Sequence, residues 1–161
     1  MDPRSRFLVD TLHLAPHPEG GFFREVFRSP STLPELPRGP RVAMTAIYYL
    51  LPEGTFSALH RVTSDEIWHH YEGAPVELHL IREAGPHDVV HLGRAIERDE
   101  RLQYPVPAGI WQAARPIGGY ALCGCTVAPG FDFADFEMPP RAALLARLPD
   151  HADAVRQLSR E

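Results

Sequence analysis

The fold is decided by residues 54–73, which read GTFSALHRVTSDEIWHHYEG. Two segments of this stretch, 55–62 and 66–71, alternate apolar and polar side chains on either side of a three-residue turn. Such alternation is typical of β-strands that bury one face. His60 and Glu66 lie between the framing glycines in the spacing G-x5-H-x-V-x3-E-x6-G. The stretch therefore predicts two neighbouring strands that carry a pair of titratable side chains.

Short strand-like segments continue in both directions, separated by turn signals such as Pro52-Glu53-Gly54 and Gly118-Gly119. The predicted strands are 22–28, 42–51, 55–62, 66–71, 76–81, 89–92, 103–106, 111–115, 120–127 and 132–137. Many short strands at this spacing indicate a β-sandwich or a β-barrel. We expect one domain covering residues 1–161, because neither a linker nor an internal repeat interrupts the pattern.

Both ends of the chain have helical patterns. Asp2 and Pro3 form an N-cap followed by a proline at the first helical position, and the opening helix must end before the PHPEGG turn at 16–21. After Pro139, leucine and valine residues return to helical spacing. The prediction is an all-β domain with short N- and C-terminal helices.

The composition excludes several classes of protein. The chain has 161 residues, a net charge of −5 and no basic run, so we expect no nucleic-acid partner. No apolar stretch approaches the ~20 residues that span a bilayer, and early charged residues break any signal-peptide core, so we expect no membrane association and a cytoplasmic location. All 16 basic residues are arginine, which excludes Schiff-base chemistry through a lysine. Cys123 and Cys125 are expected to be buried, inert thiols.

Five motifs in order carry a family resemblance: PHPEGG at 16–21, IYYLL at 47–51, FSALHRVTSDEIW at 56–68, VPAGIWQA at 106–113 and TVAPGFDFADF at 126–136. Together they resemble a small, mostly uncharacterised cupin family that is indexed as the fifth cupin type. The resemblance implies a double-stranded β-helix, the cupin jelly-roll barrel, with a polar cavity. It also implies a homodimer, for which the strand 22–28 is the expected edge because it is apolar on both faces.

The resemblance also assigns site residues. The first cupin motif places His60 and Glu66 inside the barrel, but Val62 stands at its second histidine position and Gln112 at the histidine of the second motif. His60 and Glu66 are the predicted catalytic residues. A divalent metal is the cofactor that the motif allows, with His60, Glu66 and Gln112 as its ligands. Strand alternation and the position of the 16–21 turn add further residues. The predicted substrate-binding residues are Trp68, His70, Gln112, Tyr49, His17, Glu19 and Arg24.

Three functions fit these residues. The first is isomerase, epimerase or lyase chemistry by acids and bases on a small polar substrate, sugar-derived or anionic. Nucleotide-sugar epimerases on cupin barrels work this way without a metal, which is an analogy of fold only. The second is a metal-dependent cupin oxygenase, for which the ligand set has one histidine too few. The third is a barrel that binds or senses a small molecule without turnover.

Overall fold

A computed structural model describes residues 1–161, mostly as short antiparallel strands. The strands are β1 (Ala15–Pro16), β2 (Phe22–Arg28), β3 (Thr32–Leu33), β4 (Arg41–Val42), β5 (Thr45–Leu51), β6 (Ser57–Val62), β7 (Asp65–Gly73), β8 (Val76–Ile81), β9 (His87–Leu92), β10 (Gln103–Val106), β11 (Trp111–Pro116), β12 (Ala121–Ala128) and β13 (Phe136–Glu137). The helices are α1 (Pro3–Leu12), α2 (Arg141–Arg147) and α3 (Ala152–Leu158), with short 3-10 turns at Ile96–Arg98, Phe133–Asp135 and Pro149–His151.

Two sheets form the barrel. The first has six strands in the order β1-β2-β5-β12-β7-β10, and the second has five in the order β13-β6-β11-β8-β9. Strands β3 and β4 form a small separate ribbon. Strands adjacent in sequence, such as β6 and β7, lie in different sheets, so the chain passes repeatedly between the layers. The predicted jelly-roll barrel of the cupin type is confirmed.

Strand alternation divides the apolar side chains between the inside and the outside of the barrel. Tyr49 and Trp68 from the six-stranded sheet pack with Leu78 and Leu80 from the five-stranded sheet in the interior cluster. Leu50, the neighbour of Tyr49, points the other way and packs under α1. Within the predicted strand 42–51, only the consecutive residues 49–51 are buried on both faces.

The helices cover the outer faces of the sheets. The side chain of Asp2 accepts a hydrogen bond from the Ser5 backbone N–H at 2.9 Å and so caps α1. At the other end, Leu144 of α2, Leu148 directly after it and Val155 of α3 form a buried cluster with Trp111. None of the helices has the length and hydropathy of a membrane-spanning segment.

One predicted strand is wrong. Residues 132–137 form a 3-10 turn at Phe133–Asp135 before the two-residue strand β13. The Asp132 carboxylate accepts a hydrogen bond from the Ala134 backbone N–H at 2.8 Å, which favours a turn over an extended chain. This turn places aromatic side chains beside the interior cavity.

Candidate active site

A cavity of about 240 Å³ lies between the two sheets at one end of the barrel. Its apolar wall includes Phe23, Ile47, Val62 and Val127. The charged or titratable side chains that line it, apart from the Cys125 thiol, are His17, Glu19, Glu25, Arg28, His60, Glu66 and Asp132. A cavity of this size suits a small molecule rather than a polymer.

His60 is held in one tautomer at the cavity wall. It lies on β6 opposite Gln112 of β11, with only 2 % of its surface exposed. Its Nδ1 atom is 2.8 Å from the backbone carbonyl oxygen of Ala58, which can only accept a hydrogen bond. The proton must therefore be on Nδ1, and Nε2 keeps a free lone pair for the cavity.

Glu19 is the carboxylate that contacts both cavity histidines. Its Oε2 atom lies 3.4 Å from His60 Nδ1, and its Oε1 atom lies 3.4 Å from His17 Nδ1. The Ser57 hydroxyl group donates a hydrogen bond to Oε2. The Tyr49 hydroxyl group donates to the Gly20 carbonyl oxygen at 2.8 Å and lies 3.3 Å from Oε2. A carboxylate in this position stabilises positive charge on His60 when the ring takes up a second proton.

The PHPEGG turn explains why Glu19 points inward. Gly20 has a φ of +119°, and a Cβ atom at this position would collide with the backbone carbonyl oxygen of Phe56. The backbone N–H of Ala58 donates to the Glu19 carbonyl oxygen at 2.9 Å, which anchors the turn to β6. Only glycine fits this close approach, so the turn is fixed against the strand that carries His60.

Glu66 lies on β7, at the end of a chain of buried hydrogen bonds. The indole N–H of Trp68 donates to Gln112 Oε1 at 2.9 Å, and Gln112 Nε2 donates to Glu66 Oε2 at 2.6 Å. Burial raises the pKa of the Glu66 carboxyl group, and the nearby His60 only partly opposes this effect. Glu66 therefore retains a proton at a higher pH than an exposed glutamate does.

The structure places the predicted site residues in three groups. His17, Glu19, His60 and Glu66 line the cavity. Tyr49, Trp68 and Gln112 form a buried layer behind the lining and hold Glu19 and Glu66 through hydrogen bonds.

His70 and Arg24 lie elsewhere. His70 is on β7 beyond Trp68, and its Nε2 atom is 2.9 Å from the carbonyl oxygen of Ala74. The Arg24 side chain is directed outside the barrel, where it donates to the carbonyl oxygen of Leu12 at 3.2 Å. Four residues further along β2, Arg28 lines the cavity instead, with its guanidinium paired to the Glu25 carboxylate at 2.7 Å. A bulge between Glu25 and Phe27 interrupts the alternation of β2. Strand alternation in the sequence therefore could not predict that Arg28, and not Arg24, faces the cavity.

Sequence reasoning missed the aromatic wall of the cavity. Phe133 comes from the turn that was predicted as a strand, and Phe131 directly precedes that segment. Phe133 is 59 % exposed, which places it at the cavity entrance. Cys125 also lines the cavity, next to Glu66. Burial raises the pKa of its thiol well above the ordinary value, which disfavours the nucleophilic thiolate.

The residues at the cupin ligand positions do not fit a tightly bound metal. Val62 has no donor atom, and both polar atoms of the Gln112 amide are already engaged by Trp68 and Glu66. His60 and Glu66 remain, which is one ligand short of the two-histidine, one-carboxylate set. No group of three or more histidine, cysteine or acidic side chains is arranged to hold a metal ion.

The barrel and the cavity between its sheets define a protein of the cupin class. The chain belongs to the Cupin superfamily (DUF985), whose family model matches residues 6–139. The uncharacterized protein YML079W of Saccharomyces cerevisiae is 29 % identical over 144 residues, which cover 80 % of this chain and 71 % of the yeast protein.

Solved structures agree with this assignment. A hypothetical protein from Leishmania major is 35 % identical and superposes with a TM-score of 0.91 over 97 % of this chain and 98 % of its own. Oxalate decarboxylase from Bacillus subtilis is 17 % identical, with a TM-score of 0.59 over 91 % of this chain and 37 % of its own. The decarboxylase shares the barrel, and its reaction says nothing about this cavity.

Proposed function

We propose that this cupin is an enzyme that moves protons on a small polar substrate, in an isomerase, epimerase or lyase reaction that needs no metal. The single observation that carries this proposal is the hydrogen bond from His60 Nδ1 to the carbonyl oxygen of Ala58. It leaves Nε2 as a free base in an enclosed cavity, and Glu19 lies 3.4 Å from the protonated nitrogen to stabilise the imidazolium ion.

Glu66 supplies the complementary acid. Burial favours its protonated form, whereas His60 has a basic nitrogen available in the same cavity. A ring nitrogen with a lone pair and a carboxyl group that keeps its proton to a higher pH are a pair that general acid–base catalysis can use. In this proposal His60 removes a proton from the substrate and Glu66 returns one.

The charges of the lining favour an uncharged, hydroxylated substrate. Four carboxyl groups line the cavity, at Glu19, Glu25, Glu66 and Asp132, and the single guanidinium there is already paired with one of them. An anionic substrate would meet like charges at close range, which is unfavourable. Carboxylates accept hydrogen bonds from hydroxyl groups, and Phe131 and Phe133 offer apolar surface for the carbon skeleton.

The test is solvent exchange. Purified protein is incubated in D2O with a panel of small hydroxyaldehydes, hydroxyketones and sugars, and deuterium at carbon is followed by proton NMR. We expect wild type to introduce deuterium into at least one compound, and His60→Asn to lose this exchange by ~10²-fold or more, since asparagine cannot take up a proton near neutral pH.

The matched control is His91→Asn, which makes the same change on β9, where the His91 side chain is 49 % exposed. It is expected to exchange like wild type. Ligand retention without exchange would instead identify a binding or sensing barrel, and stoichiometric metal in protein purified without chelators would favour an oxygenase. Either result overturns the proposal.

A further inference from the structure

The two cavity histidines present opposite hydrogen-bonding groups. The backbone N–H of Glu19 donates to His17 Nδ1 at 3.3 Å, and an N–H group can only donate. Glu19 Oε1 lies 3.4 Å from the same nitrogen, but the closer N–H contact favours a lone pair on His17 Nδ1, which puts the proton of the neutral ring on Nε2. His60 has the reverse arrangement, because its Nδ1 donates to Ala58. One imidazole thus offers a donor and the other an acceptor.

The neutral form of His17 fits its surroundings. Its ring packs edge-on against Phe23 with 4.5 Å between ring centroids, and it lies 5.4 Å from the ring of Tyr49. Burial lowers the pKa of His17, and the attraction of Glu19 only partly opposes this effect. His17 therefore remains an uncharged N–H donor at neutral pH.

Both rings contact the same carboxylate, so they lie in one wall of the cavity. His17 and His60 are each 3.4 Å from Glu19, one at each carboxylate oxygen. A ligand that meets both rings needs an acceptor atom for His17 and an acidic hydrogen for His60. A carbonyl group with a C–H on the adjacent carbon has this pattern.

We propose that His17 is a catalytic residue whose Nε2–H donates to a substrate carbonyl oxygen, and that the substrate is an uncharged α-hydroxy aldehyde or ketone. This inference rests on the proposed role of His60 as the base. It adds an electrophilic residue and a substrate class to that role.

The reaction balances without an oxidant or reductant. His60 Nε2 takes the proton from the carbon beside the carbonyl, and the C–H electron pair forms a carbon–carbon double bond. The π pair of the carbonyl moves to its oxygen, where the His17 Nε2–H stabilises the developing negative charge. Return of a proton to the same carbon inverts or restores its configuration. Removal of one such donor typically lowers turnover by about 10²–10³-fold.

The first experiment needs no substrate. Long-range nitrogen–proton NMR of protein labelled with ¹⁵N in its 9 histidines distinguishes the two neutral tautomers. The signals are assigned by their loss in His17→Gln and His60→Asn. We expect the proton of His17 on Nε2 and that of His60 on Nδ1. A His17 proton on Nδ1 overturns the inference.

The second experiment measures binding of glycolohydroxamate, a planar mimic of the enediolate formed in this reaction. His17→Phe keeps an aromatic ring against Phe23 but removes the donor, and binding should weaken roughly 10-fold, the size of one hydrogen bond. His17→Gln keeps an N–H donor and should restore most of the affinity, while His91→Asn should bind like wild type. Equal binding by wild type and His17→Phe, or no binding by wild type, overturns the inference. The role of His60 is tested separately. If the His17 experiments fail but His60→Asn still abolishes solvent exchange, the proposed function stands without the role of His17.

Discussion

At the scale of single residues, the site has to keep two buried carboxyl groups, Glu19 and Glu66, close to His60. Glu19 accepts a hydrogen bond from the Ser57 hydroxyl group, and the Tyr49 hydroxyl group lies 3.3 Å from its Oε2 atom. Glu66 accepts one from Gln112, and burial raises its pKa. The two carboxyl groups therefore have different hydrogen-bond partners, which can be altered separately.

Gln112→Leu tests the buried chain of hydrogen bonds. The change leaves the Trp68 indole N–H and the Glu66 carboxyl group without their partner, and each unsatisfied buried group costs about 1–3 kcal/mol. We expect the free energy of unfolding in urea to fall by about 2–4 kcal/mol. The control Gln103→Leu alters an exposed glutamine on β10 and should change little. Equal, small losses in both variants would show that the chain of hydrogen bonds does not stabilise the fold.

His79 provides a prediction about pH. Burial lowers the pKa of His79 from 6.5 to about 4, aided by repulsion from His87 at 3.0 Å and from Arg115 and opposed by Glu77. The unfolded chain binds this proton at the ordinary pKa, so between pH 6.5 and about 4 it holds more protons than the folded chain. The contribution of His79 to the free energy of unfolding is therefore complete above pH 6.5 and is lost as the pH is lowered through this window.

His79→Gln removes this titration. The difference in melting temperature between wild type and variant should change across the window from pH 6.5 to about 4, with wild type losing more stability. His17 and Glu66 titrate in both proteins and cancel from the comparison. If the melting temperatures of wild type and variant change in parallel between pH 6.5 and about 4, the pKa of His79 is not lowered by folding.

At the scale of elements, the sequence predicts strands well where alternation is regular and poorly where a local hydrogen bond competes. The strands at 22–28 and 76–81 have the predicted bounds because glycine and proline residues flank them on both sides, and 103–106 also has its predicted bounds. The segment 132–137 deviates because Asp132 caps a turn. His60 and Glu66 could be assigned to the interior because the resemblance to the first cupin motif implies it, and strand alternation then places Trp68 on the same face as Glu66. The contact of Glu19 with His60 could not be predicted, since it depends on how a turn folds back onto β6.

Gly20→Ala tests the turn that holds Glu19. The added methyl group meets the Phe56 carbonyl oxygen as well as an unfavourable positive φ. Gly54→Ala is the matched control, because Gly54 has a φ of +75° and nothing within 4 Å of the added Cβ position. We expect about 1 kcal/mol of destabilisation for Gly54→Ala and a larger loss for Gly20→Ala, with solvent exchange reduced only in the latter. Similar effects of the two changes would mean that the close contact between Gly20 and the Phe56 carbonyl oxygen is not needed to position Glu19.

At the scale of the whole molecule, the partly unpaired edge of β2 leads us to predict a homodimer. Only Phe22 and Phe23 of β2 pair with β1, so residues 24–28 have no strand on that side. Val26 and Phe27 in this part are each 44 % exposed. An exposed edge with apolar side chains favours pairing with a second copy. Light scattering at micromolar concentration should give twice the chain mass of 18.0 kDa, and a monomer of 18.0 kDa would refute this prediction.

The central claim is that His60 moves protons in this barrel without a metal ion. The most direct measurement is the rate of deuterium exchange into a responsive compound by protein treated with a chelator, with and without added divalent metal. We predict the same rate in both conditions, and its loss in His60→Asn. Exchange that appears only after metal is added, or that continues unchanged in His60→Asn, would contradict the account.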